Sequence, residues 1–246
     1  RPPQTTDLYR LQINQTGDQA RPEKIDAVEL GFRGSLGERV NLELAGFFMD
    51  KKNFFFRDAD GFNVANGKTR HVGVEADVRI ALHETLTLQS AVTYAKHTYR
   101  FDRPTGNSAE SISFGDDVDS APRVMANTRL TWRPFDRLTA EAELVSMGSY
   151  FTDAANDHEY DGHNVLNLRA ERGLTDTLAA FITVRNVTNE LYAERADFAF
   201  GEDRIPAAII GAHTKGHKPF AVYRRTAFLQ VSFIRNTCGH IRTREQ

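Results

Sequence analysis

Few stretches of this sequence combine residue types that could do chemistry, and the densest is a single polar segment. FTDAANDHEYDGH, at 151–163, brings Asp153, Asp157, His158, Glu159, Asp161 and His163 into eleven positions. Carboxylates and imidazoles at that density could hold a divalent cation. Their spacing matches no known site geometry, so the segment reads as a solvated acidic loop. A second acidic run, FGDDVDS at 114–120, lacks the glycine and closing glutamate of an EF-hand calcium loop. His213 and His217 are spaced as zinc ligands on a helix would be. Gly211 precedes them and Gly216 lies between them, which disfavours that helix. Asn186-Val-Thr is a formal glycosylation sequon with nothing further assigned to it. Cys238 is the only cysteine, so an intrachain disulfide framework and a Cys-rich zinc site are excluded.

The elements that must position these residues are strands. Net charge is −2 and hydrophobic content 40%, which indicates neither a disordered chain nor a strongly basic nucleic-acid binder. No apolar run approaches the roughly 18 residues of a membrane helix, and RPPQTTDLYR does not read as a signal peptide. A soluble all-β domain and a membrane β-barrel both remain open on these grounds.

Apolar and polar residues alternate with a period of two almost throughout. The cleanest run, HVGVEADVRIAL, sets Val72, Val74, Ala76, Val78, Ile80 and Leu82 against Gly73, Glu75, Asp77 and Arg79. Similar runs begin near Lys24, Val40, Leu86, Val124, Leu138, Val165, Leu178 and Thr226, which makes about nine strands. Tight turns at 35–38, 83–85, 135–137 and 174–177 alternate with longer polar segments at roughly 57–68, 102–120, 150–162 and 190–220. That alternation predicts an antiparallel meander with turns at one end and loops at the other, as in outer-membrane barrels. The polar faces carry Glu43, Glu75, Asp77, Arg79, Arg129, Glu141, Glu143, Arg169, Glu171 and Arg185. Packed in a core, such charges would cost several kcal/mol each unless paired. A solvated sheet face would explain the charges but not the sorting of loops by length.

Several segments resemble the C-terminal barrel of TonB-dependent outer-membrane receptors, of the siderophore-receptor type. They are PEKIDAVELGFRG, GKTRHVGVEADVRIAL, the stretch from RVMANTRLTW to NVLNLRAE, and FITVRNVTNELYAERADF. The run Asn186-Val-Thr-Asn-Glu-Leu-Tyr192 resembles the family signature near the last strands. The final strand, with Tyr223 and a terminal aromatic at Phe233, resembles the family's closing strand. The resemblance implies an all-β antiparallel transmembrane barrel of about 22 strands with a plug domain in its lumen. About nine strands and no plug-like segment stand in this sequence. An open sheet in lipid would leave two edges unpaired, at a cost on the order of tens of kcal/mol. The expectation is therefore that residues 1–233 form the C-terminal part of such a barrel within a longer receptor, unable to insert or transport alone. Residues 234–246 are expected to be an unstructured tail.

The function the resemblance implies is energised uptake across the Gram-negative outer membrane of a scarce, bulky ligand, most often a ferric siderophore. A TonB complex would act through a plug, the apolar face would meet outer-membrane lipid, and no nucleic acid, cofactor, resident metal or covalent chemistry is implied. Aromatic and cationic side chains suit an anionic iron complex through stacking, cation–π contacts and charge-assisted bonds. On that basis the candidate ligand contacts are Tyr9, Arg10, His97, Tyr99, Tyr150, Tyr160, Tyr192, Arg195 and Arg204. The bland alternative for such tyrosines is an aromatic girdle at the membrane interface. Competing readings of the chain are a non-energised porin-like barrel and a soluble carbohydrate-binding or adhesive β-domain.

Overall fold

The computed structural model describes residues 21–57, 63–106, 108–199, 202–204 and 228–235. Nine of its strands form one antiparallel sheet. In chain order these are β1 (Lys24–Leu36), β2 (Val40–Arg57), β3 (Asn63–His83), β4 (Leu86–Tyr99), β5 (Val124–Trp132) and β6 (Leu138–Met147). The hairpin β7 (Tyr150–Phe151) and β8 (Glu159–Tyr160) interrupts the sheet, which resumes with β9 (His163–Gly173) and β10 (Leu178–Arg185). A second small hairpin, β11 (Asp197–Ala199) and β12 (Glu202–Arg204), precedes the last sheet strand, β13 (Phe228–Arg235). The sheet order is β1-β2-β3-β4-β5-β6-β9-β10-β13, so sheet strands adjacent in sequence are adjacent in space. The only helical turn among the described residues is the 3-10 segment Ser108–Glu110. The sheet is open among the described residues, with β1 and β13 each paired on one side only.

Register carries the alternation from strand to strand without slipping. Phe32 opposes Leu44, Leu44 opposes Ala76, Ala76 opposes Val92 and Val92 opposes Ala126. Further on, Leu130 opposes Ala142, Ala142 opposes Leu168, Leu168 opposes Val184 and Val184 opposes Leu229. A one-residue slip at any pair would send the apolar set to the other face. The result is one continuous apolar face and one charged face. Leu30 is 81% exposed and Val28 71%, with Phe48, Val74, Leu130 and Leu168 also exposed on the same side. Ser90 and Thr128 interrupt this face, and their hydroxyls hydrogen-bond each other at 2.8 Å.

Three of the expected element limits shift. The stretch 57–68 is mostly ladder rather than loop, because β2 and β3 stay paired as far as Arg57 opposite Asn63. Its alternation is broken by register shifts between Lys52 and Phe54 and between Phe54 and Phe56. Asn53 takes a left-handed conformation there (φ 57°). Such a bulge puts consecutive apolar residues into a strand that still pairs. β4 stops at Tyr99, two residues short of the expected run. β13 continues to Arg235, with Ile234 opposite Ala179, so strand occupies the first two residues of the expected tail. Residues 236–246 lie outside the described residues.

The short turns hold their predicted places, and Gly37 (φ 65°) supplies the left-handed residue in the first of them. Gly73 has a different role. A Cβ there would stand 2.7 Å from Phe47 Cζ and 2.7 Å from the Tyr94 carbonyl oxygen, so the ring lies over the bare backbone. Gly73→Val is therefore expected to destabilise the protein by about 1–3 kcal/mol. The readout is the urea midpoint followed by circular dichroism, and an unchanged midpoint would contradict this packing.

Candidate functional site

Among the described residues, the two clusters of buried hydrophobic residues lie at the loop end of the sheet. Beyond β4, residues 100–106 and 108–123 fold back over the strand end, where Val118 N–H donates to the His97 carbonyl and Tyr99 N–H to that of Asp116. Tyr99 (5% exposed), Ile112 and Ala154 form one cluster with Phe56, Phe101 and Val118. The Tyr99 hydroxyl donates to Asp119 Oδ1 at 2.5 Å. Burial first, then the Asp119 carboxylate, pushes this phenol well above its ordinary range, so it stays protonated.

Residues 148–162 are tied to that loop. Asn156 (φ 63°) donates through Nδ2 to the Asp117 carbonyl at 2.9 Å, and its Oδ1 accepts Asp117 N–H at 2.8 Å. Ser120 N–H donates to the Phe151 carbonyl. Asp153 (1% exposed) closes the turn by accepting the backbone N–H groups of His158 (2.7 Å) and Asp157 (3.1 Å). Its carboxylate is engaged by the loop that carries it. In the neighbouring acidic run, Asp117 pairs with Arg123 and, at 3.8 Å, Lys96. Among the described residues no three of His, Cys, Asp and Glu converge as metal ligands.

The segment 186–196 completes the roof. Asn186 (φ 52°) is buried and exchanges hydrogen bonds with Glu190, accepting its N–H at 2.8 Å and donating to its carbonyl at 2.9 Å. Asn189 is also left-handed (φ 53°), so Asn186–Tyr192 is a turn built on two asparagines. Tyr150 accepts Ala196 N–H at 2.6 Å, and Tyr160 accepts Ala193 N–H at 3.0 Å. The Tyr160 hydroxyl lies 2.9 Å from His163 Nδ1, and the His163 ring stands 4.7 Å from that of Tyr192.

The structure thus brings Tyr150, Tyr160 and Tyr192 together, with Arg195 exposed at their margin. Tyr150 and Tyr160 use their hydroxyls to hold backbone, and Tyr99 uses its own on Asp119. His97 sits on the charged face of β4, its Nδ1 2.7 Å from that of His71. The sequence reading missed His71, Asp119 and Asn186 as members of this region. Tyr9, Arg10 and Tyr223 lie outside the described residues. Arg204 is described only as the end of β12, and Phe233 only by its register opposite Ala180. Tyr94, half-exposed, lies on the apolar face, with Trp132 at the turn end of the same face.

Below the roof the charged face is organised by pairs. Glu143 accepts Asn127 Nδ2 (2.9 Å), Asn167 Nδ2 (3.1 Å) and Arg129 Nε (3.1 Å), drawing together β5, β6 and β9. Arg33 pairs with Glu43 and Arg169 with Glu171, both largely exposed and worth little stability each.

Comparison with known proteins settles what such a sheet is. Residues 1–187 match the family model of the TonB dependent receptor-like β-barrel. The chain belongs to the TonB-dependent receptor β-barrel family. No curated protein matches the sequence. Among solved structures, the ferric-catecholate import receptor Fiu of E. coli K12 aligns at 19% identity with a TM-score of 0.56, covering 74% of this chain and 25% of Fiu. The siderophore receptor PiuA of Acinetobacter baumannii aligns at 17% identity and TM-score 0.60, covering 71% of this chain and 26% of PiuA. The copper transporter OprC aligns at 15% identity and TM-score 0.61, covering 78% and 31%. The chain thus spans between a quarter and a third of the length of these structures, which share its fold.

Members of this family are outer-membrane transporters, not enzymes, and the two faces acquire their meaning from that. On β3 the apolar face runs from Val72 to Leu82, about 33 Å along the strand. At a tilt of about 40° this spans about 25 Å, the height of an outer-membrane apolar band. Beyond Val72 the same face turns charged at Arg70, which hydrogen-bonds Asp50 through Nε (2.8 Å) and holds its carboxyl below the usual range. The roof therefore lies beyond this apolar band, at the loop end of the sheet.

The paired hydroxyls make a prediction for the roof. Tyr150→Phe and Tyr160→Phe leave the N–H groups of Ala196 and Ala193 without their acceptors, at about 1–3 kcal/mol each. Amide exchange of residues 192–197 is expected to quicken by at least tenfold, while the β4–β6 ladder stays protected. Equal protection in wild type and variants would remove the latch.

Proposed function

We propose that this chain is part of the wall of an outer-membrane receptor that takes up a ferric siderophore. Energy would come from a TonB complex acting through a plug domain on the same polypeptide. The observation that carries this reading is the roof: three loops, fastened to one another, present aromatic and cationic groups at the mouth of a wall charged on one face and apolar on the other. A ligand-gathering surface of that kind suits a bulky, anionic complex that must be held before it is moved.

Within the roof, the contacts assigned to the ligand are Tyr192 and Arg195. Tyr99, Tyr150 and Tyr160 are assigned to positioning, since their hydroxyls are engaged by the protein. Tyr9, Arg10 and Arg204 remain assigned to the ligand by residue type alone. The fold does not specify the cargo, and the names of the similar structures include ferric complexes and copper. Ferric catecholate, ferric hydroxamate, ferric citrate and copper salts therefore form the panel to be tried.

The test is uptake of radio-iron, or of radio-copper for the copper salt, by metal-starved cells, with and without the gene, and with and without a protonophore. One ferric complex should lose uptake in both cases. The Tyr192→Ala and Arg195→Ala variants should raise the half-saturating concentration about five- to twentyfold while leaving the barrel's heat-dependent gel shift intact. Uptake of every panel member independent of the gene, or indifferent to the protonophore, would overturn the reading.

A further inference from the structure

The loop-end margin of the apolar face carries a set of cations that the roof does not use. Lys24 on β1 is the direct partner of Lys52 on β2, and Lys52 is that of Lys68 on β3. The row ends at Arg100, whose N–H donates to the Lys68 carbonyl at 2.9 Å. Like charges directly opposed across strands are destabilising, so this row weakens its own ladder unless a counter-charge meets it. One row nearer the apolar band, Asp26 opposes Asp50 and Asp50 opposes Arg70. The row after that sets Lys96 against Val72, where the apolar face of β3 begins. Two carboxylates thus stand among six cations, on a chain whose net charge is −2.

The patch continues the apolar face directly, since the Arg70 guanidinium lies 4.8 Å from the ring centre of exposed Phe48. Lys52 pairs with Asp26 and Arg70 with Asp50, which accounts for both carboxylates. Lys96 reaches Asp117 only at 3.8 Å, and Asp117 is held more closely by Arg123. Among the described residues no carboxylate pairs with Lys24, Lys68 or Arg100, and both lysines are exposed. Arg100 instead stacks at 4.1 Å on Phe114, a ring that is itself exposed. At strand spacing the row of four spans about 14 Å, and the three rows together rise about 13 Å.

We propose that this patch binds the headgroup of an outer-leaflet lipid that carries more than one phosphate, with its acyl chains on the apolar band below. Unpaired lysines supply point charges to the phosphates, and Arg100 supplies a planar fork. Cations beside a lipid-facing surface attract anionic headgroups at the depth where those headgroups lie. A free anion would meet the charges alone, whereas a lipid meets the charges, the Phe114 ring and the band together. The inference rests on the outer-membrane part of the proposed function and is indifferent to the cargo.

The experiment begins with the intact receptor in the outer-membrane fraction, identified by its heat-dependent gel shift; its absence there would overturn both readings. The purified receptor is then titrated in detergent with diphosphoryl lipid A, monophosphoryl lipid A and phosphatidylcholine, and bound lipid is counted by native mass spectrometry. Wild type should hold the diphosphoryl lipid most tightly and phosphatidylcholine least, with the difference shrinking in high salt. The double variant Lys24→Gln/Lys68→Gln should weaken diphosphoryl binding about ten- to thirtyfold and leave phosphatidylcholine unchanged. Arg185→Gln, on the opposite face, should change neither. Equal affinity of the wild type for all three lipids would overturn the proposal, whether or not the variants fold. So would an unchanged affinity in a folded double variant. Inorganic pyrophosphate bound as tightly as the diphosphoryl lipid would overturn the choice of a lipid.

Discussion

The described structure depends on backbone pairing across one continuous antiparallel sheet. Where one sheet face meets hydrocarbon, an unpaired N–H or C=O has no water to turn to and costs several kcal/mol. Every other feature follows from keeping that ladder intact. Register has to be fixed, because a slip of one residue would put Glu75 and Arg129 where Val74 and Leu130 now stand. Polar interruptions of the apolar face have to satisfy themselves, as Ser90 and Thr128 do. Close approaches demand a missing side chain, as at Gly73 beneath Phe47.

Among the described residues no layer packs against either face of the sheet, and the buried clusters gather at the loop end. There the fastening is polar as much as apolar. Asn156 bridges to Asp117, Asp153 closes its own turn, Asn186 closes the turn before β11, and the hydroxyls of Tyr150 and Tyr160 hold the backbone at Ala196 and Ala193. The Asn156, Tyr150 and Tyr160 bonds join one loop to another, and the Asp153 and Asn186 bonds close turns within a loop. Loops fastened this way are pre-organised, which in general lowers the ordering cost of binding. The same fastening engages the hydroxyls of Tyr150 and Tyr160 with backbone, while Asp119 engages that of Tyr99.

Much of this was legible in the sequence because strand pairing has a period of two and the connections sort by length. HVGVEADVRIAL reads directly as β3, and the turn at 83–85 fixes its hairpin with β4. That hairpin also carried a signal left unused: counting outward in equal steps from the pair Ala81–Thr87 reaches His71 and His97. What the pattern could not carry were features that break it. FFMDKKNFFF continues the run from Val40 as expected, but its alternation fails after Lys52, where the ladder shifts register around Asn53. Asp153 resembled a candidate cation ligand because composition does not distinguish a carboxylate facing solvent from one accepting two backbone N–H groups. The signature run at Asn186 was recognisable as a family mark. Its physical content, two left-handed asparagines and a reciprocal side-chain bridge, needed coordinates.

The central claim is that a single register sorts this chain into a lipid face and a water face, and cysteine labelling in native outer membranes tests it most directly. Single cysteines would be placed at Val74, Leu130 and Leu168 on one face and at Glu75, Arg129 and Arg169 on the other, with Cys238 replaced by serine. A membrane-impermeant maleimide should label the second set and spare the first, while a lipid-soluble reagent should reverse the preference. Equal labelling of Val74 and Glu75 by the impermeant reagent would contradict the account.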